Sequence, residues 1–379
     1  MPSRKIAERG DEAAGLYIHV PFCKTKCPYC DFYSVINLAL VEEWRGALVQ
    51  EMEFYKDVFG TFDTIYIGGG TPTVLSNAVL TDLFQNLRRK FSFKDNAEIT
   101  VEANPDDVTQ EKLELLKDLG VNRLSIGVQS FNDEELTFLK RRHSLKGVEE
   151  ALGRVKEAGF KNFCIDLIYG LPGQTAASWL ASLQKALTFE PTHLSCYQLT
   201  LEKSTPFGKM ENQGKFKVCS EKQGRDFFLT TSKLLERNGF VHYEISNFSK
   251  GRKYRSRHNC KYWRHIPYLG LGPGAHSFQG GTRWWNVKSV KDYCDKIKTE
   301  LRPIAGSEVL STEQLRLEKL FLGLRTSDGV TLDVAFPKSP FNDLLRNVEK
   351  TRLVSVRENR LIPTKKGFLM ADRLPLLFP

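Results

Sequence analysis

No stretch of this 379-residue chain stays apolar long enough to cross a membrane as a helix, a span of about 20 residues. Residues 1–14 are charged and lack the apolar centre of a signal peptide. Both absences make a cytoplasmic protein the expectation. Cysteine is sparse, eight in all, and five of them (Cys164, Cys196, Cys219, Cys260 and Cys294) are scattered. That excludes a disulfide scaffold and fits a reducing compartment. Cys164 and Cys196 fall in apolar, strand-like runs and read as buried free thiols. Acidic residues are in deficit, 45 against 55 basic ones, for a net charge of +10. Such an excess can attract nucleic acid, an anionic membrane surface or carboxylate-rich ligands such as porphyrins. The basic residues are dispersed, however, with only short runs at Arg88-Arg89-Lys90 and Lys140-Arg141-Arg142. A solvated surface is the better reading, and no nucleic-acid partner is expected. The 41% hydrophobic and 26% charged content is that of a globular protein with two domains, or one large one with an appendage.

The informative residues are concentrated near the start. Cys23, Cys27 and Cys30 form a C-x3-C-x2-C pattern within YIHVPFCKTKCPYCDF, residues 17–32. Thiolates spaced this way on one loop can converge on a single inorganic centre. A structural zinc site needs four ligands, and no second C-x2-C or H-x3-H follows. A [4Fe-4S] cluster also normally takes four protein ligands. Here the run supplies three and then offers Asp31 and Phe32. An iron left without a protein ligand can bind another molecule.

Downstream, a short β-rich run, a turn and a helix-like stretch recur. Candidate strands cover 16–20, 64–68, 98–102, 123–128, 162–168 and 193–199. Helical patterns cover 41–59, 110–119 and 144–158, the last two closed by Gly120 and Gly159. Alternation of this kind implies parallel strands and right-handed crossovers. Six units make an open partial barrel or an open doubly wound sheet, which periodicity does not separate. After about residue 205 the pattern changes. A helix is expected at 227–238, then a Gly- and aromatic-rich stretch at 254–285. Helices at 313–324 and 341–350 and a hairpin, 353–356 with 361–363, follow. This order resembles a winged helix. A small packing domain is preferred to a DNA-binding one, because no arginine-rich recognition helix stands out.

In a barrel, chemistry gathers at the C-terminal ends of the strands. Those ends carry polar residues repeatedly. The cysteines follow strand one, and Gly68-Gly69-Gly70-Thr71-Pro72 follows strand two. Such glycines let a ligand approach backbone N–H groups, a nest for a carboxylate or hydroxyl. Strand three ends at Glu102, a potential acceptor for ribose hydroxyls. Strand four ends at Gln129-Ser130, and Asp166 lies between Ile165 and Leu167 in strand five. An acid so flanked needs a partner when buried.

The cysteine loop with its flanking residues resembles the radical S-adenosylmethionine (SAM) superfamily, in the branch related to oxygen-independent coproporphyrinogen III oxidase. The glycine run resembles that branch's GGGTP motif. The resemblance selects the six-unit partial (β/α)6 barrel, within an α/β fold that ends in a smaller mixed domain. It divides the chain into a tail at 1–15, a barrel at 16–250 and a C-terminal domain at 251–379. It implies a [4Fe-4S] cluster on Cys23, Cys27 and Cys30 whose open iron holds the amino and carboxylate groups of SAM. Reductive cleavage would give methionine and a 5′-deoxyadenosyl radical. Tyr17, Gly69 and Glu102 match positions that contact this SAM. Tyr29, Gly70, Thr71, Gln129, Arg141 and Asp166 match positions that hold a second SAM in the oxidases. Arg142 is chemically able to replace Arg141.

Two features separate relatives within the branch. The oxidases carry a fourth cysteine two residues after the third, where this chain has Phe32, and a longer N-terminal extension. His258-Asn259-Cys260-Lys261-Tyr262-Trp263 matches the HNxxYW motif of the HemW family, associated with heme. An imidazole can ligate heme iron, and Tyr262 and Trp263 offer flat surfaces. Cys260 is the competing ligand, and packing is the bland alternative. His276, after the glycines of 270–274, reads as structural. The resemblance thus implies heme as cargo, heme-accepting apoproteins and an electron donor as partners. The alternative is oxidative decarboxylation of coproporphyrinogen III, and a third is a winged-helix DNA-binding regulator.

Overall fold

The computed structural model describes residues 13–337 and 342–378, with residues 342–344 described by backbone alone. Most of the expected N-terminal tail, residues 1–12, and the expected helix start Phe341 lie outside the described residues.

Six strands run parallel in chain order: β1 (Ala14–Val20), β2 (Phe62–Gly69), β3 (Phe93–Ala103), β4 (Arg123–Gln129), β5 (Phe163–Tyr169) and β6 (His193–Gln198). They coincide with the six expected strands, the first four lengthened, β5 moved on by one residue and β6 one residue shorter. Helices connect them, among them Val41–Glu53, Asn77–Lys90, Gln110–Asp118, Leu145–Glu157 and Ala176–Thr188. Side-chain oxygens start several of these helices. Ser76, Thr109, Ser144 and Thr175 each accept the N–H three residues on, a cap that stabilises by about 1 kcal/mol.

The strands alternate strictly, and both faces are used. Leu16, Ile18 and Val20, Ile65 and Ile67, Leu124, Ile126 and Val128, and Ile165 and Leu167 are buried under the helices. Each such side chain contributes about 1.5–3 kcal/mol of burial. Residues of the opposite parity point inward and are largely polar: Tyr17, Tyr66, Glu102, Arg123, Ser125, Asp166 and Ser195 all line one central cavity. A one-residue register slip would bury this polar set under the helices.

The sheet does not stop at six strands. On the β6 side it continues antiparallel into β8 (Asn247–Ser249) and then β7 (Val241–His242). On the β1 side it gains β9 (Tyr268–Leu271), parallel to β1, then β10 (His276–Gln279), β11 (Thr282–Asn286) and β12 (Ile304–Val309), antiparallel in turn. The 254–285 stretch, without assigned elements in the sequence, therefore supplies a helix and three strands. A division of the chain at residue 250 falls between β8 and β9, inside this one sheet. Glu51, fully buried, ties the extension to the barrel. It accepts from Gly272 N at 2.8 Å, Asn286 Nδ2 at 2.6 Å and the Tyr293 hydroxyl at 2.6 Å.

The smaller C-terminal domain has its own core, with Leu320, Leu324, Val330, Phe336, Val354, Leu361 and Phe378 among its members. Its order is helix Thr312–Gly323, strand Val330–Thr331, helices Leu332–Ala335 and Asn342–Lys350, then the hairpin Val354–Arg357 and Arg360–Pro363. That is a winged-helix order with a three-stranded antiparallel sheet. The hairpin turn falls at Glu358 and Asn359, both with positive φ (46° and 61°), as a tight primed turn requires.

Candidate cluster and cofactor cavity

The cysteine loop leaves β1 at Val20 and is clamped at its base. Cys23 N donates to Val35 O at 3.0 Å, and Val35 N donates to Pro21 O at 2.8 Å. The glycine run after β2 holds it from the side. Gly70 N donates to Val20 O at 2.8 Å, and Thr71 N donates to Phe22 O at 2.7 Å. A Cβ on Gly70 would lie 2.5 Å from Phe22 O, and one on Gly69 (φ 106°) 2.4 Å from the His19 ring. Gly69 N donates to Glu102 Oε2 at 3.0 Å. All three amides are thus engaged within the protein, which corrects the reading of this run as an open anion nest. The glycines are needed for close approach of two loops.

Cys23, Cys27 and Cys30 are free thiols, partly buried, and all three line the cavity. Thr71 Oγ1 donates to Cys23 Sγ at 3.5 Å, and Arg141 Nη1 to Cys27 Sγ at 3.2 Å. Burial first, then the negative charge of Cys27 and Cys23, raises the Cys30 thiol; the three sulfurs therefore share one field. No three His, Cys, Asp or Glu side chains among the described residues are close enough to hold a single metal ion. An all-thiol rim with the Arg141 guanidinium beside it is a donor set that fits an iron–sulfur cluster.

Arg141 and its neighbour part company. Arg141 turns into the cavity, with Nη2 on Gly127 O at 2.7 Å. Arg142 is spent on Asp106 at 3.3 Å and Asp107 at 3.0 Å. Asp107 also holds Lys24 of the cysteine loop at 2.6 Å. Gln129 has φ 72° at a register shift of β4 against β5, strained backbone of the kind found at functional sites. Its side-chain nitrogen lies against Gly127.

Glu102 is half-buried in the cavity wall. It accepts from the Tyr66 hydroxyl at 2.7 Å as well as from Gly69 N. Burial pushes its pKa up to about 7 against those two donors, with Asp166 adding to the rise. Asp166 accepts from Ser125 Oγ at 2.9 Å and from Cys164 Sγ at 3.1 Å, so the acid between apolar neighbours has its partners. Tyr17 bonds His19 Nδ1 at 3.0 Å. Tyr29 is packed against Phe207, and its hydroxyl is raised by burial, against the downward pull of the Arg141 charge and with Cys27 adding to the rise.

His258 lies at the other end. The helix Arg257–Arg264 starts on Glu98, whose carboxylate accepts Arg257 N at 3.1 Å and His258 N at 3.0 Å. Glu98 pairs with Thr64, near the start of β2, so this helix meets the N-terminal half of the strands, away from the cysteines. His258 is 1% exposed, with Nδ1 2.9 Å from Thr64 Oγ1 and Nε2 2.8 Å from the Tyr262 hydroxyl. Burial, aided by Lys261 and Arg123, holds its pKa down at about 3, so the ring is neutral. To ligate iron through Nε2 it must release Tyr262. Cys260 faces a separate, smaller pocket, and burial pushes its thiol up to about 11.

One cavity of about 800 Å³ therefore joins the cysteine rim, Glu102, Gln129, Arg141 and Asp166 to His258, Asn259, Tyr262 and Trp263. Phe32, where the oxidases have a fourth cysteine, is 68% exposed at its edge. Tyr66, Arg123, Ser125 and Ser195 also line it and escaped the sequence reading. The signal was available as period-two polarity on strands whose other face is apolar.

Residues 17–186 match the radical SAM superfamily. The heme chaperone HemW of Bacillus subtilis (strain 168) is 38% identical over 94% of this chain and 97% of its own length. HemW of Lactococcus lactis is 35% identical over 94% and 95%, and HemW of Mycobacterium tuberculosis 33% over 97% and 95%. The solved structure of coproporphyrinogen III oxidase (HemN) from Escherichia coli, described as a radical SAM enzyme, superposes with a TM-score of 0.83 at 26% identity, covering 97% of this chain and 90% of that one. No helix among the described residues is long and apolar enough to cross a membrane. Matched at this identity over nearly its whole length, the chain belongs to the HemW family of the radical SAM superfamily.

Proposed function

We propose that this protein is a heme chaperone that binds heme at the wall formed by His258, Tyr262 and Trp263 and delivers it to apoproteins in the cytoplasm. The observation that carries the reading is the single cavity of about 800 Å³ that reaches from Cys23, Cys27 and Cys30 to those three residues. Cys23, Cys27 and Cys30 hold a [4Fe-4S] cluster; Tyr17, Gly69 and Glu102 receive the SAM on it. When bound, the pair supplies one-electron chemistry fed by an external electron donor. Glu102 orients by accepting hydrogen bonds from hydroxyls on its carboxylate. Arg141 keeps a positive charge beside Cys27 and screens the thiolates. Tyr29, Gly70, Thr71, Gln129 and Asp166 line the adjoining wall and are the proposed contacts of a second SAM.

His258 is the proposed iron ligand, with Tyr262 as its removable cover. The test is a heme titration of the full chain against His258→Ala. Loss of the axial-histidine spectrum and weaker binding are expected. An unchanged spectrum with unchanged affinity removes His258 from the site. The HemN-like alternative draws on the shared fold, but Phe32 stands at the position of the oxidases' fourth cysteine. With reconstituted cluster, SAM and reductant, catalytic conversion of coproporphyrinogen III would overturn the chaperone-only reading.

A further inference from the structure

Behind Asp166 runs a line of buried polar side chains that the proposed function leaves unused. Cys164 is fully buried, and His193 and Tyr243 are 1% exposed. Cys164 and His193 occupy paired positions on the neighbouring strands β5 and β6. Cys164 Sγ donates to Asp166 Oδ1 at 3.1 Å. His193 Nδ1 lies 2.9 Å from that sulfur, and His193 Nε2 lies 2.7 Å from the Tyr243 hydroxyl. Ser256 N donates to the Tyr243 oxygen at 3.4 Å. The line therefore starts at the residue that caps the helix Arg257–Arg264 and ends on a carboxylate in the wall of the central cavity.

Counting protons fixes its direction. A thiol has one hydrogen, and Asp166 takes it. The contact between Nδ1 and Sγ then needs its proton on Nδ1. Burial first, then the Arg123 charge, holds His193 well below its usual pKa, so the ring is neutral and carries that one proton alone. Nε2 is bare and accepts from the Tyr243 hydroxyl. Ser195 Oγ, 3.1 Å from the same sulfur, is a donor to it by the same count. Burial, with Asp166 adding to it, raises the Cys164 thiol well above its ordinary range, so the proton stays on sulfur. The opposite direction would turn sulfur lone pairs on a carboxylate oxygen 3.1 Å away. Ser125 Oγ donates to the other oxygen, Oδ2, at 2.9 Å. Each oxygen of Asp166 is thus held once from behind and keeps capacity for a second donor. A chain of this kind polarises each member in turn. A core that needed only filling would use apolar side chains and avoid desolvating an imidazole, a phenol and a thiol.

We propose that Cys164 and His193, with the Tyr243 hydroxyl fixing the imidazole tautomer, are positioning residues that hold Asp166 in one orientation for a hydrogen-bond donor of the second SAM. The inference rests on the reading of Asp166 as a contact of that molecule. Asp166 makes the contact, and the other two act through it. Without the Tyr243 hydroxyl, His193 is free to move its proton to Nε2. Nδ1 would then take the thiol hydrogen, and Asp166 would lose the donor behind Oδ1.

The experiment measures SAM binding to the full chain by equilibrium dialysis, after anaerobic reconstitution of the cluster. Two SAM molecules per chain are expected, with the cluster-bound one as internal control. Cys164→Ala should weaken the second by about threefold to tenfold, the worth of one hydrogen bond. Cys164→Ser, which donates and accepts at the same place, should recover most of that loss. Adding Cys164→Ala to Asp166→Ala should weaken the second SAM no further than Asp166→Ala alone, because the thiol acts through the carboxylate. Losses that add in the double variant, or a serine variant no better than alanine, overturn the inference. Tyr243→Phe gives the same test should Cys164→Ala fail to fold: it should weaken the second SAM and spare the first, and an unchanged second site overturns the inference. A second SAM lost with Asp166→Ala but indifferent to Cys164→Ala and Tyr243→Phe sinks the positioning role and leaves the reading of Asp166 standing. One SAM per chain, bound equally well by Asp166→Ala, overturns both.

Discussion

The same chemical change, a glycine replaced by alanine, should have opposite effects at two positions of this protein. Gly70 sits where the glycine run meets the cysteine loop. A Cβ there would lie 2.5 Å from Phe22 O, 2.8 Å from Phe22 N and 2.8 Å from Val20 O. All three are backbone atoms, so no side chain can swing aside. The loops must separate, and the bonds from Gly70 N and Thr71 N to Val20 and Phe22 lengthen with them. Overpacking costs about 1–3 kcal/mol, and each weakened buried hydrogen bond about 0.5–1.5 kcal/mol. The sum is about 2–6 kcal/mol, and it falls on the segment that positions Cys23. Gly46, inside the helix Val41–Glu53, meets nothing within 4 Å. Alanine there is expected to stabilise by about 0.5–1 kcal/mol, the difference in helix propensity. The assay is paired: thermal or denaturant unfolding of both variants, and iron content with charge-transfer absorbance after anaerobic reconstitution. Gly70→Ala should unfold earlier and take up less cluster, while Gly46→Ala keeps its full cluster. A Gly70→Ala protein that matches wild type in both measurements refutes the idea that the glycine run is a clamp.

Further expectations concern buried polar groups. Burial pushes the Glu51 carboxyl up to about 7, more than its three donors pull it down. Because the folded pKa lies above the unfolded value of 4.5, the native state holds more protons between those limits. Stability from this residue therefore falls as pH rises from about 4.5 to about 7, by at most about 1.4 kcal/mol per unit. Denaturant titrations of wild type and Glu51→Gln across that window check it; identical slopes would count against a buried titrating carboxyl. At the other end, Tyr262→Phe removes the hydroxyl held at 2.8 Å by His258 Nε2. If that nitrogen ligates iron, heme affinity should rise by about threefold to tenfold, the worth of one hydrogen bond; a fall in affinity speaks for Tyr262 itself as the contact.

The chain's local chemistry was legible from its order alone. Six β-rich runs separated by helical ones specified a parallel sheet, since strands that follow a helix pair that way. Cys23, Cys27 and Cys30 lie within eight residues of one another, so no fold was needed to bring them together. Glu102, Gln129 and Asp166 were found because strand ends gather on one rim. The packing partners were not legible. Arg141 and Arg142 are adjacent, chemically alike and both at the cavity wall, and Asp106 and Asp107 of a distant loop decide which one is left to face the thiols. The glycine run suggested a ligand nest, whereas the Gly70 and Thr71 amides are taken by the exit of β1, about 50 residues away in sequence, and the Gly69 amide by Glu102. Strands β9 to β12 are short and hide among glycines and aromatics; their place beside β1 comes from backbone bonding over some 250 residues. Most of all, HNxxYW announced itself in sequence, but its position at the N-terminal half of the strands, away from the cysteines, did not. Local spacing fixes which groups can act, because neighbours in sequence are neighbours in space. Which groups face each other across a cavity is set by strand register and helix docking, and those are decided by burial summed over the whole fold.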